Sequence, residues 1–274
     1  TALLGSVLAM QATDLKRILA YTTIMALGIL TMFLGGQTTP ALTAAMTFLM
    51  VHSLYKCSLF LVVGIIDHQT GTRMIDRLGG LLKSMPITAF AAATAALSMA
   101  GFPLFFGFIG KEIMYKGALT EDVFPVFATT AALLANSLMA AVAALLIIKP
   151  FWGAVRSTPL LPREAPWTMW LGPVFLGGLG LIFGIVPDWI GRWLIEPAVR
   201  AFHPSMEDIQ LKLFHGINEP LLLSILTFSL GIVFYLLNQP LRQVIGHTLQ
   251  KIPIRFETIY TGGLDSIAKI AKIQ

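Results

Sequence analysis

Charge is what this sequence has least of. Asp, Glu, Lys and Arg make up 12% of its 274 residues, about half the share usual in a soluble globular domain. It has one cysteine, Cys57, inside an apolar run, which excludes an intrachain disulfide or a cysteine metal cluster. It also lacks a Lys/Arg cluster with interleaved aromatics, so its net charge of +5 does not point to nucleic acid. Nothing resembles a dinucleotide fingerprint, a nucleophile elbow or a metal-ligand helix, and the pairs Gly79-Gly80 and Gly177-Gly178 have no phosphate-loop context. The expectation is a protein with no cofactor, no metal and no enzymatic site. An initiator Met and a charged-then-apolar signal segment are missing too.

What the sequence does have is apolar residues in runs: 56% are hydrophobic and the mean hydropathy is +0.78. Roughly 20 such residues span a bilayer as a helix, and backbone groups in lipid must be satisfied internally. The fold class expected is therefore an all-α polytopic membrane protein. Thr1 to Met10 is too short to span and reads as the end of a helix begun upstream. Spans follow at Ile18–Leu34, closed by Gly35-Gly36, and at Ala41–Ile66. After a polar loop over 67–85, a long segment runs from Pro86 to Leu119, interrupted at Gly101-Phe102-Pro103. Val123–Ile148, a Pro-rich loop over 150–166 and Trp167–Val186 come next. Residues 187–218, with Trp189 and Trp193 beside Arg192 and Glu196, read as an interfacial stretch. Leu221–Leu237 is the last span. The organisation expected is a first group of helices over 1–148, further helices over 149–238, and an amphipathic, basic tail over 239–274, where Ile259, Leu264, Ile267, Ile270 and Ala271 keep roughly helical spacing.

Lys and Arg should gather in cytoplasmic loops. Of the 19 in the chain, thirteen fall on one side and four (Lys116, Arg192, Arg200 and Lys212) on the other. That bias puts the first set, Lys16, Arg17, Arg73 and Arg163 among it, in the cytoplasm. Lys56 and Lys111 belong to neither side, because they lie within the runs.

An ionisable group in mid-bilayer costs at least ~2.5 kcal/mol on insertion scales and usually faces the bundle interior or water. His52 and Lys56 are four apart and share a helix face. A buried amine beside an imidazole can take up and release a proton as its surroundings change, which makes a relay step. The plainer alternative is a snorkelling lysine and a histidine bonded to a carbonyl. In the interrupted segment, Pro103 removes a backbone donor, and Gly101 and Gly107 flank it. Transporters use such broken helices at ion sites. Lys111 and Glu112 follow about two turns later; an ordinary proline kink with an interfacial Lys–Glu pair is the competing reading. Lys16 reads on physics alone as an anchoring charge at a span boundary.

Three segments, in order, carry a resemblance. Asp14-Leu15-Lys16-Arg17-Ile18-Leu19-Ala20-Tyr21-Thr22-Thr23, His52-Ser53-Leu54-Tyr55-Lys56-Cys57-Ser58-Leu59-Phe60-Leu61, and Ala96–Pro103 with Gly107–Glu112 resemble the antiporter-like membrane subunits of complex I and of Mrp-type multisubunit cation/proton antiporters. The stretch Gly64–Arg73 and the tail around Tyr260–Lys272 are most similar to the large A-type subunit of the Mrp antiporters. The resemblance implies the second of two inverted helical repeats, each with a broken helix, around a hydrated line of charged residues. Lys16 would match the lysine at the junction of two half-channels, His52 and Lys56 would continue the line, and Lys111 with Glu112 would lie near an exit. Phe48 departs from many complex I relatives, which carry a second histidine there. The first repeat would lie upstream of Thr1. The implied function is exchange of protons for Na⁺, or K⁺ or Li⁺, by a multi-pass subunit of the cell's inner (plasma) membrane, with other subunits of the complex, the lipid bilayer, Na⁺ and H⁺ as partners and no nucleic acid. A proton-pumping subunit of a redox complex, of the complex I or membrane-bound hydrogenase type, is the alternative; a scaffold without transport is a third. No Asp/Glu cluster within the runs resembles a Na⁺ cage, which directs the search for the cation site to another subunit.

Overall fold

Asp14 shows how the sequence places its helices. Its carboxylate accepts the backbone N–H groups of Lys16 and Arg17 at 2.9 and 3.1 Å, an N-cap that starts the first long helix. The computed structural model describes residues 1–250 apart from 37, 121–123, 203, 205–208, 210, 214, 215 and 217, with side chains as far as 244. The described residues form helices α1 (Ala2–Gln11), α2 (Leu15–Gly35), α3 (Thr39–Thr70), α4 (Pro86–Ala100), α5 (Phe106–Leu119), α6 (Pro125–Ile147), α7 (Trp167–Ile185), α8 (Pro187–Ile190), α9 (Glu196–Arg200), α10 (Glu219–Leu236) and α11 (Asn238–Gln250). Residues Thr1–Leu236 make one compact unit and Leu237–Gln274 another. Of the second, α11 is an amphipathic helix; the spacing expected from Ile259 to Ala271 lies outside the described residues.

Among the described residues, five helices are long and apolar enough to cross a membrane: α2, α3, α6 continued through a π turn to Trp152, α7 and α10. α3 is the longest at 32 residues, about 48 Å, so it overshoots a hydrocarbon core of about 30 Å at one end or both. It therefore takes in Asp67 and His68, which the apolar pattern alone assigns to a loop, and ends at Gly71 in a left-handed cap, φ 71°. The polar stretch that follows is pinned to the α1–α2 turn, where Ile75 N–H donates to the Thr13 carbonyl at 2.8 Å and Leu15 N–H to the Arg73 carbonyl at 3.0 Å.

α4 and α5, of 15 and 14 residues, are each too short to cross alone. They are the two halves of one interrupted segment. Of the three residues the sequence offers for the break, Gly101, Pro103 and Gly107, it is Gly101 that caps the first half. Gly101 adopts φ 74°, its N–H donates to the Ser98 carbonyl at 3.0 Å, and Phe102 N–H donates to Leu97 at 2.9 Å. That is a Schellman cap, which ends a helix by satisfying its last carbonyls. Pro103 sits in the connection, followed by Leu104, whose φ of 75° is costly for a residue with a Cβ.

α5 then lies back against α4 and α3 along a face of small residues. A Cβ at Gly107 would fall 1.7 Å from the Ser98 carbonyl oxygen, so only glycine permits this approach. Small residues serve the same end throughout the unit, as expected where helices associate by close packing in lipid. α10 buries only Ser224, Thr227 and Gly231, and Gly231 meets Ala140 and the Ser137 carbonyl of α6. Over 187–200 the chain winds through α8, a π turn and α9, burying Ile190, Ile195 and Val199 and leaving Trp189 and Trp193 exposed.

Candidate functional site

The polar residues that break the apolar rule are the ones the helices enclose. His52, Lys56, Lys111 and Glu112 are all buried, with relative exposures of 9, 6, 3 and 5%. Lys56, on α3, reaches α2. Its Nζ donates to the Leu19 carbonyl at 2.6 Å and also to the Thr22 hydroxyl, which itself donates to Leu19 at 2.9 Å. The Phe60 ring lies 5.7 Å from the ammonium, a cation–π contact of the kind that partly replaces lost water.

His52, one turn before Lys56 on α3, bonds along its own helix instead. Its Nδ1 lies 2.9 Å from the Tyr55 hydroxyl, one turn along α3, and that hydroxyl meets Met139 Sδ of α6 at 3.8 Å. Phe48 packs on the His52 ring with centroids 5.9 Å apart. No side-chain proton carrier therefore precedes His52 by one turn; Tyr55 is its partner instead.

Lys111 is positioned by the helix break. Its Nζ donates to the carbonyl of Ala100, the last residue of α4, and its methylenes lie over Gly101, where a Cβ would stand 2.5 Å from Cδ. An ammonium group at a helix C-terminus meets the negative end of the backbone dipole. The break thus supplies a site for a positive charge inside an apolar segment. Glu112 follows on α5, three residues before Tyr115, and both are buried.

Lys16 does not join this row. Its side chain is 43% exposed and its Nζ pairs with Asp67 at 2.8 Å. Beside it Arg73 bonds Asp14 and approaches Asp67 at 3.8 Å. This charged group lies at the ends of α2 and α3. An open depression lined by Asp14, Lys16, Arg17, Tyr21 and Arg73 lies over it, with a cavity volume of about 800 Å³. Burial pushes the Asp14 carboxyl up, but the Arg73 hydrogen bond and charge and the amides of Arg17 and Lys16 outweigh it and hold Asp14 below its usual range.

Sequence reasoning missed the neutral partners. Tyr55, Thr22, Tyr115, Asn136 and Thr227 are all buried, and only Asn136, a primary amide within the apolar run 123–148, carried a signal that could have found it. Glu164 was missed as well. From the loop after α6 it accepts the N–H groups of Ile87 and Thr88 at 2.7 and 3.3 Å and the Thr88 hydroxyl at 2.5 Å. It thereby caps α4 at the end opposite Lys111.

Residues 1–145 match the family model described as NADH:quinone oxidoreductase/Mrp antiporter, transmembrane. The whole chain aligns, at 30% identity, with 38% of the A-type subunit of a Na⁺/H⁺ antiporter from Alkalihalophilus pseudofirmus. Over 86% of its length it is 38% identical to 24% of the combined A/B subunit of a probable K⁺/H⁺ antiporter from Rhizobium meliloti. Among solved structures, the Mrp complex from a Dietzia species superposes with a TM-score of 0.84 at 31% identity, covering 99% of this chain and 29% of that one. The chain thus spans well under half the length of the relatives it matches.

Proposed function

The chain belongs to the NADH:quinone oxidoreductase/Mrp antiporter transmembrane family, and from that premise we propose that it acts as part of the A-type subunit of a multisubunit monovalent cation/proton antiporter. It is a multi-pass membrane protein with five candidate spans, and the proposed setting is the cell's plasma membrane among the other subunits of the complex. Its part is to carry protons over Lys56, His52 and Lys111, with Glu112 beside the last, in exchange for Na⁺ or K⁺. The observation that carries this reading is the pair of buried ammonium groups. Each is held by a backbone carbonyl, Leu19 for Lys56 and Ala100 for Lys111. A carbonyl accepts from an amine in either charge state, so the side chain keeps its place while its proton comes and goes. Lys16 and Asp67 stand at the mouth of this line on the basic side of the membrane.

The test is proton/Na⁺ exchange by the assembled complex in everted vesicles. Lys56→Ala and Lys111→Ala should each abolish it; near-normal exchange by both sinks the mechanism. A proton-pumping subunit of a redox complex is the competing reading, since the family covers both kinds. Copurification decides: small antiporter subunits support the proposal, and flavin or iron–sulfur subunits overturn it.

A further inference from the structure

Histidine has two ring nitrogens, and the hydrogen bond on one decides what the other can do. Among the described residues, the hydrogen bond of the His52 ring is on Nδ1, which lies 2.9 Å from the Tyr55 hydroxyl. The ring is held between Phe48, with centroids 5.9 Å apart, and Tyr55, edge-on at 5.2 Å. Tyr55 and Met139 are each 2% exposed. The Tyr55 hydroxyl donates to the Met139 sulfur on α6 at 3.8 Å.

A phenol hydroxyl carries one proton, and a thioether accepts but never donates. With that proton on the Met139 sulfur, the Tyr55 oxygen offers Nδ1 only lone pairs, so Nδ1 carries a hydrogen and donates it. With the proton turned onto Nδ1, that nitrogen is bare and Nε2 holds the hydrogen of the neutral ring. Only the first arrangement lets His52 take up a proton. A bare Nδ1 is covered by Tyr55, and behind the hydroxyl stands a sulfur that neither supplies nor receives a proton. In the first arrangement Nε2 is the bare nitrogen.

We propose that Tyr55 and Met139 are positioning residues that fix His52 as the Nδ1–H tautomer, so that its proton enters and leaves through Nε2 alone. Elsewhere a carbonyl or a carboxylate usually holds Nδ1–H. Here a hydroxyl does so, because sulfur holds the hydroxyl's own proton. A leucine at that place leaves the hydroxyl no acceptor but Nδ1, and the tautomer reverses. Tyr55 gains and loses nothing in the cycle. Nε2 passes from bare nitrogen to N–H and back, while the bonds from Nδ1 to Tyr55 and from Tyr55 to Met139 persist.

The proposal rests on the reading that His52 carries protons, and the experiment separates the two. Proton/Na⁺ exchange is measured in vesicles holding the assembled complex, wild type and with Met139→Leu, Tyr55→Phe, both together, or His52→Gln. Nitrogen NMR of the complex labelled in its histidine rings, assigned by difference from His52→Gln, reports which nitrogen carries the hydrogen. The neutral wild-type ring should show Nδ1–H. Met139→Leu nearly conserves volume, so packing alone costs little. It should convert the signal to Nε2–H and slow exchange about tenfold. Removing the hydroxyl as well takes away the group that keeps Nδ1 bare, so the double variant should exchange faster than Met139→Leu. Losses that simply add mark the two as packing residues and overturn the proposal. An Nε2–H ring in the wild type, or unchanged exchange in Met139→Leu, also overturns it. If His52→Gln exchanges normally, the proton-carrier reading of His52 fails, and the spectra still decide the tautomer.

Discussion

Glu164 accepts a hydrogen bond from the Thr88 hydroxyl at 2.5 Å, across 76 positions of sequence. With the amides of Ile87 and Thr88 on the same carboxylate, this fixes one end of α4, and the bond from Lys111 to Ala100 fixes the other. The half-helix therefore carries a negative group at its N-terminus and a positive one at its C-terminus, both matched to its dipole.

Loss of the cap should be measurable. Glu164→Ala leaves two amides and a hydroxyl without their partner and should destabilise the unit by about 1–2 kcal/mol. Glu164→Gln keeps an acceptor oxygen and should recover part of this. Thermal unfolding of the purified complex is the check; equal Tm values for wild type and Glu164→Ala would mean that the cap contributes nothing.

At Lys111 the proton and the charge can be told apart. Lys111→Arg keeps a cation that can bond the Ala100 carbonyl, but guanidinium does not release its proton in proteins. Exchange measured by a pH-sensitive dye in vesicles should fall at least about tenfold while assembly persists. Activity close to wild type would show that Lys111 serves as a fixed charge.

How far the sequence reveals this arrangement depends on the kind of partner involved. Lys56 and Lys111 stand out because charge is rare in apolar runs, but both bind backbone carbonyls, at Leu19 and Ala100, and no residue type marks a carbonyl. The interruption of the fourth segment is visible in Gly101-Phe102-Pro103; which residue caps the first half is not, and that is the left-handed Gly101. Glu164 could not be read at all, since nothing local says that a loop carboxylate returns to a helix 76 residues earlier. Lys16 shows the opposite failure. Its motif implies a place in the buried line, and its pairing with Asp67 is fixed by how far α3 extends past its apolar stretch.

The two glycines of the break should fail for different reasons. Gly101→Ala forces a Cβ into φ 74° and against the Lys111 chain, costing about 1–2 kcal/mol for the backbone alone. Gly107→Ala sets a Cβ 1.7 Å from the Ser98 carbonyl oxygen, which as backbone cannot move aside. Yield of assembled complex should fall further for Gly107→Ala than for Gly101→Ala, and the reverse order would contradict the close approach of α5 to α4.

Asp14 gives a pH signature at the basic face. Its folded carboxyl is held low despite the opposing effect of burial, so its contribution is complete above the unfolded value of about 3.9 and is lost as pH falls through the lower folded value. Asp14→Asn still caps α2 but loses the ion pair with Arg73. The Tm gap between wild type and Asp14→Asn should be open at neutral pH and shrink below about pH 4; a constant gap would remove the ion pair as its cause.

Lys16 offers the sharpest separation between motif and geometry. In a buried line its loss would stop transport, as predicted for Lys56. With a side chain 43% exposed and a partner 31% exposed, its ion pair with Asp67 is of the surface kind, worth about 0–1 kcal/mol and screened by salt. Lys16→Ala should therefore slow exchange by no more than a few fold, with a smaller deficit at high ionic strength because a charged mouth acts by local attraction. Asp67→Asn should show the same salt dependence, since it removes the other half of the pair. Initial rates for Lys16→Ala, Asp67→Asn and Lys56→Ala at low and high salt decide the matter. If Lys16→Ala abolishes exchange at every salt concentration, the lysine enters the buried line during turnover, and the placement at the mouth is wrong.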